Sequence, residues 1–203
     1  MTRPYRMSFT TGGLFLQESM VFVDHYLTTH DWQSTRNHLR QTQQIQVRTA
    51  AAATRISKEI TARLELLDSA ELTAFPALGL RDRASLLWVA VCRRYDFIRE
   101  FATDVVREHH LSLRHELCFG DYDSFYHRQA LWHPELDGLA ASTQQKLRQN
   151  LFRMLREADL ISEQRVIQRA LLSPNLIRLL ASRGARDLSV FPVSDEIIQR
   201  WLT

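Results

Sequence analysis

Turn-forming residues are scarce in this chain: 6 glycines and 5 prolines stand among 203 residues. A sheet built from hairpins needs such residues at almost every reversal. The chain is therefore predicted to be all-α, with long helices joined by few tight turns. The apolar spacing agrees. Ile56, Ile60, Leu64 and Leu67 fall on one helical stripe, and Leu147, Leu151, Met154, Leu155 and Ala158 form another.

Along the chain, Leu14, Phe15, Val21, Phe22 and Leu27 predict a first helix ending near Thr28. The polar stretch from Thr29 to Val47 offers few large apolar residues for packing, chiefly Trp32 and Leu39, so a short, shallow helix is expected there. Thr49 opens an alanine-rich helix, and Pro76 with Gly79 breaks the pattern that follows it. Asp82 is expected to cap the next helix. Asp96 starts another, with Phe97, Phe101 and Val105 inward and Arg99, Glu100 and Arg107 outward. Periodicity fades between His109 and Asp123. A boundary near Gly120 is predicted, dividing a helical domain (1–120) from a C-terminal winged-helix-like domain (121–203). In the second half, Asp123 is expected to cap a helix over Ser124–Trp132, and Ser142-Thr143 to cap a stronger one. Val166 and Ile167 suggest a strand of a short β-hairpin between residues 160 and 172. Ser173-Pro174 opens a further helix that Gly184 closes, and Ser194 starts the last.

Composition narrows the function classes. With 45% hydrophobic and 24% charged residues the chain can bury a core. Its longest strictly apolar run, Leu86–Cys92, falls far short of the ~20 residues a membrane helix requires. Met1–Arg6 leads into Ser8–Gly13 rather than into an apolar segment, so no secretory leader and a cytoplasmic location are expected. Cys92 and Cys118 make no disulfide framework. His109, His110, His115 and Cys118 lack the paired spacing of a zinc site, so no metal is expected. Asp121-Tyr122-Asp123 lacks the later ligands of a calcium loop. Gly12-Gly13 has no following Gly-Lys-Ser/Thr, Glu18 is a lone carboxylate, and no serine sits in a nucleophile elbow. Neither an enzyme nor a cofactor site is predicted.

Surface recognition remains. Of 26 basic residues only Lys58 and Lys146 are lysines, and arginine forks pair bidentately with phosphates and guanine edges. A GC-rich genome would produce the same bias without any such role. The outer face of the 142–158 helix carries Gln145, Lys146, Gln149, Arg153 and Arg156, with Arg148 on its flank. Groove-reading helices use these residue types, although any solvated face carries them too. Arg48, Arg55 and Lys58 form a second basic edge. Three readings follow: a double-stranded DNA binder, an RNA binder, and an assembly protein free of nucleic acid. The aromatics Phe97, Phe101, Phe125 and Trp132 fall on positions expected to face inward, which disfavours single-stranded RNA. Val105–Val106 and Ile197–Ile198 are the apolar candidates for an assembly surface.

Several short motifs together resemble a known family. They are Ser8-Phe9-Thr10-Thr11-Gly12-Gly13-Leu14, Gln17-Glu18-Ser19, Asp31-Trp32, Arg48-Thr49-Ala50, His133-Pro134-Glu135-Leu136, Ser142–Arg148 and Leu155–Ile161. The chain resembles the BrxA family, the small A component of bacterial BREX phage-exclusion systems. The resemblance implies a non-enzymatic helical protein, likened to NusB-type antitermination factors and to winged-helix DNA binders. It implies double-stranded DNA and other BREX proteins as partners, with Ser142, Thr143, Lys146 and Arg148 at the start of the matching helix. The family is sometimes labelled an inner-membrane protein, for which this sequence offers no support.

Overall fold

The computed structural model describes residues 4–42 and 49–203. Among them the architecture is helical, and no continuous strand forms. The first half comprises α1 (Leu16–Thr29), α2 (Trp32–Gln41), α3 (Ala50–Leu64), α4 (Ser69–Ala74), a 3₁₀ turn (Phe75–Ala77) and α5 (Leu80–Arg94). Next come α6 (Asp96–Phe101), a π-helical segment (Ala102–Arg107) and α7 (Glu108–Leu111). The second half holds α8 (Phe119–Ala130), α9 (Ala141–Glu157), α10 (Pro174–Ala181), α11 (Ala185–Leu188) and α12 (Asp195–Leu202).

Local chemistry explains many of the boundaries. Asp31, Thr49, Ser173 and Ser194 each accept a hydrogen bond from a first-turn backbone N–H, and Asp68 with Glu71 makes a reciprocal capping box before α4. α9 stops where Asp159 turns left-handed at φ 57° and the Leu160 N–H reaches back to the Leu155 carbonyl. α5 forms the centre. Its run Ala84–Cys92 is buried on every side, and the Trp88 indole N–H donates to the Val190 carbonyl at 3.2 Å. A helix sheathed all round needs apolar residues all round, as Leu86–Cys92 supplies.

Three predicted caps are corrected. α5 begins at Gly79, and the Asp82 carboxylate accepts from the Ser173 backbone N–H, joining α5 to the start of α10. Cys118 and Asp121 cap α8, while Asp123 lies inside that helix and pairs with Arg148. Ala140 precedes α9, so Ser142 and Thr143 sit in its first turn without capping it. Gly120 lies in the first turn of α8. The buried apolar residues from Tyr5 to Ile198 form one cluster drawn from both sides of that position.

Arg107 is a further correction. A π turn inserts one residue into the helix and rotates every later side chain by ~100° about its axis. Arg107 therefore points inward, donating from Nε to the Val193 carbonyl (2.9 Å) and from Nη2 to Asp195 (2.7 Å). The Val105 and Val106 side chains are buried as well, as is Ile198, which removes them as a docking surface.

Two features position the second half. Residues 4–14 form a strap without regular structure, burying Tyr5, Phe9 and Leu14. The Tyr5 N–H donates to Glu135 and its ring stacks on His133, while the Asn150 amide donates to the Phe9 carbonyl and the Leu14 N–H donates to Glu157. Second, the chain after α9 folds back through a tight turn. Ile161 and Ile167 form an antiparallel bridge, and Val166 bridges Glu116 in the segment before α8.

Candidate nucleic-acid interface

α9 is held by its inner stripe. Leu147, Leu151, Met154 and Leu155 are fully buried, each contributing ~2–3 kcal/mol of apolar burial. Gln145, Lys146, Gln149 and Arg153 therefore face outward and are exposed, as the spacing predicts. Lys146 is in no ion pair among the described residues, and Gln145 lines a cleft of about 210 Å³ between the start of α9 and α8.

The arginines of α9 are less available than the sequence suggests. Arg148 donates to both Asp123 oxygens (2.8 and 2.6 Å) and lies over the Phe119 ring at 4.7 Å, which ties α9 to α8. Arg153 pairs with Glu157 at 2.7 Å, and Arg156 with Glu163 at 3.6 Å. Ser142 is exposed and Thr143 half-buried at the helix start. Sequence reasoning missed two cations beside α9. Arg165 stands in the tight turn and also lies over the Phe119 ring at 4.9 Å, while Arg169 is exposed just beyond.

The base of this unit is electrostatically arranged. Burial would raise the Asp121 carboxyl, but bonds from the Cys118 backbone and thiol, with Arg114 and His109 nearby, hold it below its usual range. Burial lowers His109, reinforced by Arg114, and lowers His110, reinforced by Arg169. Cys118 is exposed, and among the described residues no three His, Cys, Asp or Glu side chains are grouped to hold a metal ion.

The second basic edge lies on α3, where Arg55 and Lys58 are exposed; Arg48 lies outside the described residues. Sharing a groove with Lys58 are Arg36 and Arg40 of α2, which were not among the predicted contacts. One signal could have found them. From Trp32 to Lys58 the chain contains no aspartate or glutamate.

No described helix is long and apolar enough to cross a membrane. The aromatics Phe97, Phe101 and Phe125 are buried, but Trp132 is 71% exposed, correcting its expected inward position.

Comparison with known proteins places these observations. A curated relative, the BREX protein BrxA of Escherichia coli O9:H4 (strain HS), is 27% identical over 179 residues, covering 87% of this chain and 84% of that protein. A crystal structure of an uncharacterized protein from Magnetospirillum magneticum shares the fold, with a TM-score of 0.79 at 17% identity, covering 94% of this chain and all of the other. The BrxA family profile matches residues 3–184, and this chain belongs to the BrxA family.

Proposed function

We propose that this protein is a non-enzymatic, double-stranded DNA-binding component of a BREX phage-exclusion system, working in the cytoplasm. The system follows from the identity of its curated relative. The observation that carries the DNA reading is the order of elements around α9. A helical segment (α6 to α7), a bridging segment at Glu116, α8, α9, and then a turn bridged back at Ile161, Val166 and Ile167 follow one another in an order that supports a winged helix-turn-helix reading. In that arrangement α9 is the groove-facing helix. Gln145 and Gln149 would address base edges, Lys146 and Arg153 the phosphates, and the turn at Glu163–Arg165 is a much-reduced wing.

Fluorescence anisotropy with duplex DNA, duplex RNA and single strands across a salt range tests this reading. Duplex DNA should bind best, with affinity falling steeply as salt rises. Ala at Gln145 and Gln149 should change preference among sequences more than overall affinity. Absence of duplex DNA binding, or equal binding of every nucleic acid with an unchanged α9 dependence, would overturn it.

One observation favours the assembly reading instead. Leu131 and Trp132 are 78% and 71% exposed between α8 and α9, an apolar pair suited to another BREX protein. Co-purification lost in Leu131→Ser/Trp132→Ser, with DNA binding absent from the intact protein, would establish that reading.

A further inference from the structure

We propose that the groove between α2 and α3 is a phosphate clamp that holds the backbone of duplex DNA and supplies most of the electrostatic affinity. This rests on the DNA-binding reading and assigns it a second surface, separate from α9. The groove encloses about 290 Å³ and is lined by Gln33, Arg36, Asn37, Arg40, Thr54, Ser57 and Lys58. Three cations and four neutral hydrogen-bonding groups face it, with no carboxylate in the lining among the described residues.

The charge is uncompensated at longer range too. The acids that flank the acid-free stretch are Asp31 and Glu59. Asp31 caps α2 through the Gln33 N–H. Glu59 is buried and engaged by Arg63, Tyr95 and Arg94. Among the described residues, Arg36, Arg40, Arg55 and Lys58 take part in no ion pair, whereas Arg148, Arg153 and Arg156 of α9 each have an acidic partner. Arg36 is oriented by its bond to the Gln33 side chain, which in turn donates to Asn37.

The spacing suits the ligand class. Arg36 and Arg40 are separated by ~6 Å along the axis of α2. Phosphates of one DNA strand advance ~3.4 Å per nucleotide along the duplex while also winding around it, so neighbouring phosphates stand farther apart than this rise and suit two arginines one helical turn apart. The lining amides and hydroxyls suit phosphate oxygens. Among the described residues no aromatic side chain lines the groove, so they offer no stacking platform for single-stranded bases. It also lacks the apolar anchors of a membrane-surface helix.

The test compares intact protein with Arg36→Gln/Arg40→Gln/Lys58→Gln and with Lys146→Ala/Arg153→Ala on one duplex, by anisotropy over ~50–200 mM salt. Circular dichroism and thermal melting verify folding. The groove variant should bind at least about tenfold more weakly and lose ~2–3 from its salt slope. The α9 variant should lose ~1 from the slope, because Arg153 is already paired. If the triple variant does not fold, Arg40→Gln/Lys58→Gln, at two exposed positions, should still lose ~2. A folded groove variant with unchanged affinity and slope overturns the clamp while leaving the DNA reading intact. Failure of the wild type to bind duplex overturns both. Binding of inorganic phosphate that the groove variant abolishes, with duplex binding unaffected, makes it a small-anion site and also overturns the clamp.

Discussion

Arg148 separates a structural arginine from a DNA contact. Its guanidinium bonds both oxygens of Asp123 and covers the Phe119 ring, which also packs edge-on against Phe152 at 4.8 Å. A charge-assisted hydrogen bond of this kind is worth ~1.5–3 kcal/mol when well buried. Asp123 is 45% exposed, so solvent screening reduces the pair to ~1 kcal/mol. The cation–π contact adds ~0.5–1 kcal/mol. Arg148→Ala should therefore cost ~1.5–2 kcal/mol in all. For a chain of this size that lowers the melting temperature by roughly 3–8 °C. Below the melting range, duplex affinity and salt slope should stay near wild type, since a guanidinium held by a carboxylate releases little counterion. Calorimetric melting alongside anisotropy at 20 °C reads both quantities. A variant that melts like wild type but loses a unit of salt slope would refute the reasoning and return Arg148 to the contact surface.

Two further outcomes arise from the strap and from the titrating groups of α7 and α8. A Cβ on Gly12 would stand 2.3 Å from the Asn150 Oδ1. Gly12→Ala should thus displace that amide, break its 3.0 Å bond to the Phe9 carbonyl and destabilise the protein by ~1 kcal/mol in a denaturant titration; a stabilised variant would contradict the packing. His109 and His110 have folded pKa values below the ordinary 6.5, and Asp121 lies below its ordinary 3.8. Such groups stabilise the protein above the unfolded values and lose that contribution as pH falls through the folded ones. Thermal stability should decline first as pH drops below 6.5 and again below 3.8, and substituting Gln for both histidines should remove the first decline.

The helices were legible because burial imposes a period. The stripe Leu147–Leu151–Leu155 can face the core in only one way, and it does. Start signals were less reliable because short polar side chains have competing uses. Asp82 serves the Ser173 backbone and Asp123 serves Arg148, both partners distant in sequence. Arg107 was misplaced because an uninterrupted 3.6-residue period cannot anticipate the extra residue of the π segment. Nothing periodic marks the strap of residues 4–14, although Gly12-Gly13 records the close approach of backbone to α9. Gly13 adopts φ 92°, and its carbonyl accepts from the buried Arg63.

Cations were easy to find in the sequence, but their availability was not, because pairing is a tertiary property. A phosphate approaching Arg153 must displace Glu157, which cannot swing away freely because it also accepts the Leu14 N–H from the strap. Arg156 faces a weaker competitor in Glu163, whose side chain is 83% exposed. Exposed pairs of this sort are worth ~0–1 kcal/mol, so exchanging a carboxylate for a phosphate gains little net attraction. Among the described residues the α2–α3 groove has no such competitor in its lining, so on the proposed reading each phosphate it neutralised would contribute its release of condensed counterion undiminished. A division of labour results from this difference. On the proposed DNA reading, the groove would hold the duplex by charge, indifferent to sequence, while α9, with its paired arginines and exposed amides, would be better suited to orient against base edges than to attract the backbone.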